Sequence, residues 1–253
     1  MNAPATIFGV RLHEVDSRDE VRGRLASFLE GDRPNRVFTP NPEILLRARR
    51  DPEFAAVLNA ADLALPDGTG VAIVLSARRR RRVRRWPGVE LAAALMRLAA
   101  ERGDRVALLG AAPNVAERAL DRWRAVAPNL DACVVAPGAT IGMDGSGVTD
   151  DDEARTVDAI REAAPGIVMV GLGAPKQERW IARHAELFPS VRILIGVGGA
   201  FDMWAGRFRR APRVLHAIGL EWAWRLVLEP SRLPRIVNAV VVFPLRVLAD
   251  HRS

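Results

Sequence analysis

The chain has 253 residues, 49% hydrophobic and 26% charged, with 37 Lys and Arg against 30 Asp and Glu for a net charge of +7. That length and composition exclude a disordered, collagenous or coiled-coil protein and suffice for a folded body with its own core. One cysteine, Cys133, and four scattered histidines, His13, His184, His216 and His251, exclude a disulfide framework, a cysteine zinc site and H-E-x-x-H metal motifs.

Met1–Gly9 has no charged region leading into an apolar stretch, so no signal peptide is expected and the cytoplasm is the default compartment. No apolar run reaches the roughly 18–20 residues of a spanning helix. The nearest, Ile236–Leu248, contains Pro244 and Arg246. The basic surplus is almost all arginine, since Lys176 is the only lysine. It favours an anionic partner: nucleic acid, anionic lipid or a phosphorylated substrate.

In chain order, Arg36–Thr39 reads as a strand entering Pro40-Asn-Pro42, followed by a helix over Glu43–Ala61, a short strand Asp62–Leu65 and a helix start at Gly68–Ser76. An arginine run and the helix Gly88–Arg102 follow. Then come strand Arg105–Gly110, helix Pro113–Ala127, strand Ala132–Ala136, helix Asp150–Ala164, strand Gly166–Gly171, helix Lys176–Phe188 and strand Val191–Val197. Short apolar strands alternating with longer amphipathic helices predict an α/β fold with a parallel sheet covered on both faces, whose ligands bind at the carboxyl ends of the strands. Composition shifts near Gly206. Residues 1–205 form the expected body. Residues 206–253, rich in Trp, Arg and Pro, form an expected amphipathic helical appendage with helices at Pro212–Leu228 and Arg232–Val242 and a last turn.

Several turns carry candidate chemistry. In Thr39-Pro-Asn-Pro-Glu43 the prolines fix the backbone and present Thr39 and Asn41, a hydroxyl and an amide suited to sugar hydroxyls or a base edge; Asn41 reads equally as a helix cap. In Pro66-Asp-Gly-Thr-Gly70, Asp67 is placed as a general base or a cap. The run Arg78–Arg85, broken only by Val83, fits a diphosphate, an anionic surface, a nucleic acid or a solvated loop. Gly171-Leu-Gly-Ala-Pro-Lys-Gln-Glu178 passes from strand through a glycine loop into a helix, which suits phosphate, with Gly171, Gly173 and Lys176 at the turn; its spacing is neither the dinucleotide nor the P-loop fingerprint, and a tight packing turn is the alternative. Gly196-Val-Gly-Gly-Ala-Phe-Asp202 offers Asp202 as a substrate contact or a cap. Asp150-Asp-Asp-Glu153 reads as the dipole-matched start of a helix and not as a metal cluster. In the tail, Trp204, Trp222 and Trp224 among arginines suit a membrane interface, a packed helical cap or a homo-oligomer contact.

Taken in order, Thr-Pro-Asn-Pro-Glu at 39–43, Pro-Asp-Gly at 66–68, Arg85-Trp-Pro-Gly88, Gly-Leu-Gly-Ala-Pro-Lys-Gln-Glu at 171–178, Gly-Gly-Ala-Phe-Asp at 198–202, Arg210-Ala-Pro212 and Glu221-Trp-Ala-Trp-Arg225 resemble the WecG/TagA/CpsF family of bacterial glycosyltransferases. The resemblance implies a Rossmann-like body and inverting transfer of a sugar from a UDP-sugar to a polyprenyl-diphosphate-linked sugar. In the best-known reaction that sugar is N-acetylmannosamine, and the setting is the inner face of the cell membrane. It implies Asp67 as base, Thr39, Asn41, Arg85 and Gln177 as pocket residues, and Arg210 and Arg225 as diphosphate or membrane contacts. No cofactor or metal is expected, because arginines and the 171–179 loop can neutralise the leaving UDP. Glu90 stands where the family often has Asp, and the 78–85 run is denser in arginine than the family pattern. UDP-glucose as donor, a soluble acceptor, and a non-catalytic basic binding module are the alternatives. The glycine turns around Asp67 make a pocket and not a duplex groove, so nucleic acid is not an expected partner.

Overall fold

The computed structural model describes residues 4–136, 140–207 and 233–250. Its strands, in chain order, are β1 (Ala5–Ile7), β2 (Val10–Leu12), β3 (Asn35–Phe38), β4 (Leu63–Ala64), β5 (Val106–Gly110), β6 (Ala132–Val135), β7 (Ile167–Gly171) and β8 (Ile193–Gly196). β1 and β2 form an antiparallel hairpin, and the other six form one parallel sheet in the order β4-β3-β8-β7-β5-β6. The helices are α1 (Arg18–Glu30), α2 (Pro42–Ala48), α3 (Pro52–Asn59), α4 (Thr69–Arg79), α5 (Gly88–Arg102), α6 (Val115–Val126), α7 (Asp150–Ala163), α8 (Lys176–His184) and α9 (Ala200–Trp204). This is the α/β architecture the sequence predicts.

The strands alternate between two apolar layers, as a two-residue repeat requires. Val106, Leu108, Ile167, Met169, Ile193 and Ile195 face one layer, with α1, α5, α6 and α9. Ala107, Leu109, Val168, Val170 and Leu194 face the other, with the hairpin, α2, α3, α4, α7 and α8. From adjacent β5 and β7 the chain leaves in opposite directions, to β6 through α6 and to β8 through α8. That reversal opens a crevice at the carboxyl ends of the strands.

Three local differences from the sequence reading have clear causes. The helix expected over 43–61 is two helices, because Pro52 disfavours helical backbone at Asp51, and Asp51 instead caps α3 by accepting the Phe54 N–H at 2.9 Å. The β1–β2 hairpin is an element that the strand-helix alternation does not predict: Phe8 and Gly9, between the paired Ile7 and Val10, turn the chain with positive φ, 51° and 78°. α1 is a second such element; Ser17 accepts the Glu20 N–H at 3.0 Å and Glu20 reaches back to the Asp16 N–H.

The C-terminal end is helical throughout 233–248: α10 (Leu233–Val237), a π-helical turn over Asn238–Val242 and α11 (Phe243–Leu248). Pro244 does not break it, because it falls in the first turn of α11, directly after the π turn. This segment packs on α2 and α4. Phe243 is fully buried, edge-on to Phe8 at 5.9 Å. A Cβ on Gly70 would meet the Ala239 carbonyl oxygen at 3.4 Å and the Phe243 ring at 3.6 Å. Leu233, Val237, Val240, Val241, Leu245 and Leu248 stay exposed. The expected helix over Pro212–Leu228, Trp222 and Trp224 lie outside the described residues. Trp204 lies inside them and packs edge-on to Trp123 at 5.3 Å, so it belongs to the body.

Phe243→Ala is therefore expected to lower unfolding free energy by about 3–5 kcal/mol. Leu248→Ala, at a side chain 80% exposed, should change it by less than about 0.5 kcal/mol. Urea titration followed by circular dichroism checks both; equal small effects would mean that the C-terminal helix does not dock.

Candidate active site

Three segments meet beyond the carboxyl ends of β3 and β4. The Asp67 N–H donates to the Pro40 carbonyl at 3.0 Å, and the Trp86 N–H donates to the Pro66 carbonyl at 2.8 Å, so the turns after both strands and the segment before α5 are tied together. Buried Trp86 anchors the last of these, its indole N–H donating to the Val15 carbonyl at 3.0 Å. The Gly88 N–H, at the start of α5, donates to Asp67 Oδ2 at 3.3 Å. A Cβ on Gly88 would lie 2.7 Å from Thr39 Oγ1 and 3.9 Å from Asp67 Oδ2. Thr39, Asp67 and the N-terminus of α5 therefore converge only because residue 88 has no side chain. Arg85, half-buried, directly precedes the anchored Trp86. Asn41 caps α2, its Oδ1 accepting the Ile44 N–H at 3.0 Å.

The glycines along this edge fall into two groups. Cβ atoms on Gly110, Gly171 and Gly196 would collide with Leu172, Phe201 and Gln177 at 2.6–2.8 Å, so these three permit close packing. Gly173, Gly198 and Gly199 have nothing within 4 Å of that position. They leave bare backbone open to a ligand at the ends of β7 and β8.

Beneath the open turns lies a polar pair. Gln177 is buried; its Oε1 accepts the Gly198 N–H at 2.9 Å and its Nε2 donates to Glu178 Oε1 at 2.8 Å. Glu178 is 1% exposed, and its Oε2 has no hydrogen-bond partner among the described residues. Burial pushes the Glu178 carboxyl up to about 7, against the opposing pull of Gln177, its own backbone N–H and Arg47 on α2. Sequence reasoning passed over Glu178, since its helix position gives no sign of depth. It also passed over the turn after β5, where Ala111 and Asn114 have φ of 75° and 61° and the Ala111 N–H donates to the Gly171 carbonyl.

A family model, Glycosyl transferase WecG/TagA/CpsF family, matches residues 5–253. The chain belongs to this family. It is 31% identical over 221 residues to a protein of Bacillus spizizenii, covering 85% of this chain and 82% of that one, and 30% identical to a Bacillus subtilis protein, covering 86% and 80%. A Staphylococcus aureus protein is 28% identical, covering 90% and 86%. All three are named N-acetylglucosaminyldiphosphoundecaprenol N-acetyl-beta-D-mannosaminyltransferase.

For a glycosyltransferase of this family, the remaining candidate residues sort by what they touch. Lys176 donates to the Ile141 carbonyl at 2.9 Å and Arg179 to the Met143 carbonyl at 2.8 Å, so both hold the 141–147 turn against α8. The same turn is held from α7: the Gly147 N–H donates to Glu153, which also binds His184 Nε2. The Asp150–Glu153 cluster opens α7, as expected, with Thr149 capping. Asp202 sits in the first turn of α9 and pairs with Arg207 at 3.0 Å. In the arginine run, Arg79 and Arg81 clasp buried Glu14, Arg81 also binds Asp16, Arg78 binds the Thr6 carbonyl, and Arg84 lies over the Trp86 ring. Arg80 and Arg82 are both exposed. Arg210 and Arg225 lie outside the described residues.

Gly88→Ala should displace the Thr39 hydroxyl while leaving the fold in place. The expected result is a loss of about 10²-fold in kcat/KM with less than about 2 kcal/mol lost in urea unfolding. Wild-type kinetics from this variant would show that the approach of Thr39 to α5 is irrelevant to activity.

Proposed function

We propose that this chain transfers N-acetylmannosamine from UDP-N-acetylmannosamine to N-acetylglucosaminyl-diphosphoundecaprenol at the membrane surface. The observation that carries this reading is the convergence of Asp67 and Thr39 on the side-chain-free start of α5, in line with the open glycine turns of β8 and β7. The family and the names of the relatives supply the sugar and the lipid acceptor. Strands lie about 4.8 Å apart, so the turn of β4 and the turn of β7 are separated by roughly 14 Å along the edge. An extended sugar nucleotide can lie across that row, its diphosphate over Gly173 and Gly198–Gly199 and its sugar toward Asp67.

In this reading the acceptor hydroxyl oxygen attacks the anomeric carbon while the bond from that carbon to UDP breaks. Asp67 takes the hydroxyl proton, and UDP leaves with the bonding electron pair. Direct attack on an α-linked nucleotide gives the β product by inversion. The Gly88 N–H holds one Asp67 oxygen and so aims the carboxylate. Charge on the departing UDP is met by backbone N–H groups at the start of α8 and by arginines: Arg85, directly before the Trp86 that is tied to the Pro66 carbonyl, and Arg210 and Arg225 of the tail. The reaction needs no metal and no cofactor in this scheme.

The proposed setting is peripheral, on the inner face. Among the described residues no helix is long and apolar enough to cross a membrane. What supports surface contact is the exposed apolar stripe from Leu233 to Leu248, with Arg246 on the same helix.

Purified protein given UDP-N-acetylmannosamine and a short-chain polyprenyl-diphosphate N-acetylglucosamine should release UDP. Turnover should survive EDTA, and Asp67→Asn should lower kcat about 10²–10⁴-fold. Turnover with UDP-glucose alone would change the sugar and keep the chemistry; an undiminished Asp67→Asn variant would remove Asp67 as the base. Separately, the wild type should float with phosphatidylglycerol vesicles. Val241→Asp/Leu245→Asp, at positions 50% and 60% exposed, should partition at least about tenfold less with unchanged circular dichroism. Equal flotation would exclude this stripe as the contact.

A further inference from the structure

Glu178 is a buried titratable group for which the transfer chemistry above has no use. It follows the glycine turn of β7, on the third residue of α8, and points away from solvent. A buried carboxyl with one oxygen unpartnered among the described residues is costly to keep, and such groups persist where they hold something else in place. Here the held group is visible. Glu178 Oε1 accepts from Gln177 Nε2, which fixes the orientation of that amide; Gln177 Oε1 is thereby turned to the Gly198 N–H. Gly196 lacks a side chain where the Gln177 amide lies, so the amide fits closely against β8. The chain of contacts runs from Glu178 through Gln177 to the turn whose Gly198 and Gly199 face open space.

We propose that Glu178 is a positioning residue for the sugar nucleotide: its carboxyl sets the Gln177 amide, and the amide sets the Gly196–Gly199 turn against which the donor's diphosphate lies. This rests on the donor reading given above. The unpartnered Oε2 suits a protonated acid, which carries no buried charge. The carboxyl loses its proton near pH 7. Above that pH a carboxylate with a single side-chain partner sits in the interior, and the Gln177 amide and its turn must shift or admit water to relieve it. The charge that acts on it is Arg47 from α2; the cations flanking it on α8 are engaged elsewhere, Lys176 with the Ile141 carbonyl and Arg179 with Asp51 at the start of α3, at 2.7 Å. Further along α8, His184 is bound to Glu153.

The linkage has a definite sign. A carboxyl raised in the folded state keeps its proton where the unfolded chain has lost it, so its contribution to stability is full below about pH 4.3 and declines as pH rises to about 7.

The test is calorimetric titration of UDP-N-acetylmannosamine into wild type, Glu178→Gln and Glu178→Leu from pH 5.5 to 8.5, without acceptor. Both phosphates of this donor are esterified, so it brings no proton of its own that titrates near 7. Wild-type affinity is expected to weaken as pH rises through about 7. Glu178→Gln keeps an acceptor oxygen for Gln177 and cannot ionise, so its affinity should stay flat across that range. Glu178→Leu leaves the Gln177 amide unpaired and should bind roughly tenfold more weakly at every pH, a loss that the Gln variant recovers. The Gln177 side-chain amide signals in a nitrogen-15 spectrum should move with pH near 7 in the wild type and not in Glu178→Gln. A Gln variant that copies the wild-type pH profile, or a folded Leu variant that binds as tightly as wild type, overturns the role of Glu178. Absence of binding by the wild type, with the Gln177 signals still titrating, overturns the donor reading and this proposal with it.

Discussion

The site depends on a helix that begins without a side chain. α5 starts at Gly88, and its first N–H points at Asp67. Any larger residue would drive a carbon into the Thr39 hydroxyl. The positive end of a fifteen-residue helix is thus brought against a carboxylate, and that favourable pairing offsets the cost of holding Asp67 half-buried at the end of β4. The rest of the edge is arranged so that this contact is rigid. Trp86 is pinned by Val15 and Pro66, Asp67 by Pro40, and the returning arginine loop by Glu14 and Asp16. Most of the ordered arginines in 78–85 therefore serve to fix the loop that delivers Gly88, which explains their density without a polyanionic partner.

The same edge shows how one residue type does two jobs. Gly110, Gly171 and Gly196 let side chains press onto the sheet's end; Gly173, Gly198 and Gly199 leave backbone bare. The first set makes the second set stationary. Phe201 over Gly171 and Gln177 over Gly196 fill the space below the open turns, so a ligand's contact energy is not lost to ordering them.

Much of this was legible in the residues. Runs such as Val106–Leu109 and Ile167–Val170, apolar at every position, announce strands buried on both faces, and the strand-turn-helix order of Thr39, Asp67 and Gly171–Gln177 places them on one edge. Asn41 was legible only as an alternative, because a capping amide and a ligand-facing amide have the same sequence. Lys176 reads as a phosphate ligand because a cation opposes a helix N-terminus; the contact it makes to the Ile141 carbonyl, thirty-five positions away, is one to which no local pattern points. Glu178 was illegible for the related reason that depth is set by packing of α8 on β3, β7 and β8, not by its neighbours in sequence. The hairpin and α1 have local signals, Gly9 and Ser17-x-x-Glu20, but they stand outside the βαβ alternation that marks the rest of the chain.

The C-terminal helix joins the two ends of the proposed reaction. It packs through Ala239 and Phe243 onto Gly70, three residues after Asp67, while its opposite face is apolar and open to solvent. A helix held that closely cannot turn independently of the Asp67 turn. If the apolar face lies on a bilayer, the orientation of the body is fixed with it, and in the proposed reaction the lipid-linked acceptor reaches Asp67 from the side of that helix. The tolerance of Pro244 then has a physical purpose. The π turn before it keeps the helix continuous across the proline, so that Phe243 stays buried against Phe8 while Val241 and Leu245 stay outward. A conventional proline break at that point would uncouple the buried anchor from the exposed stripe.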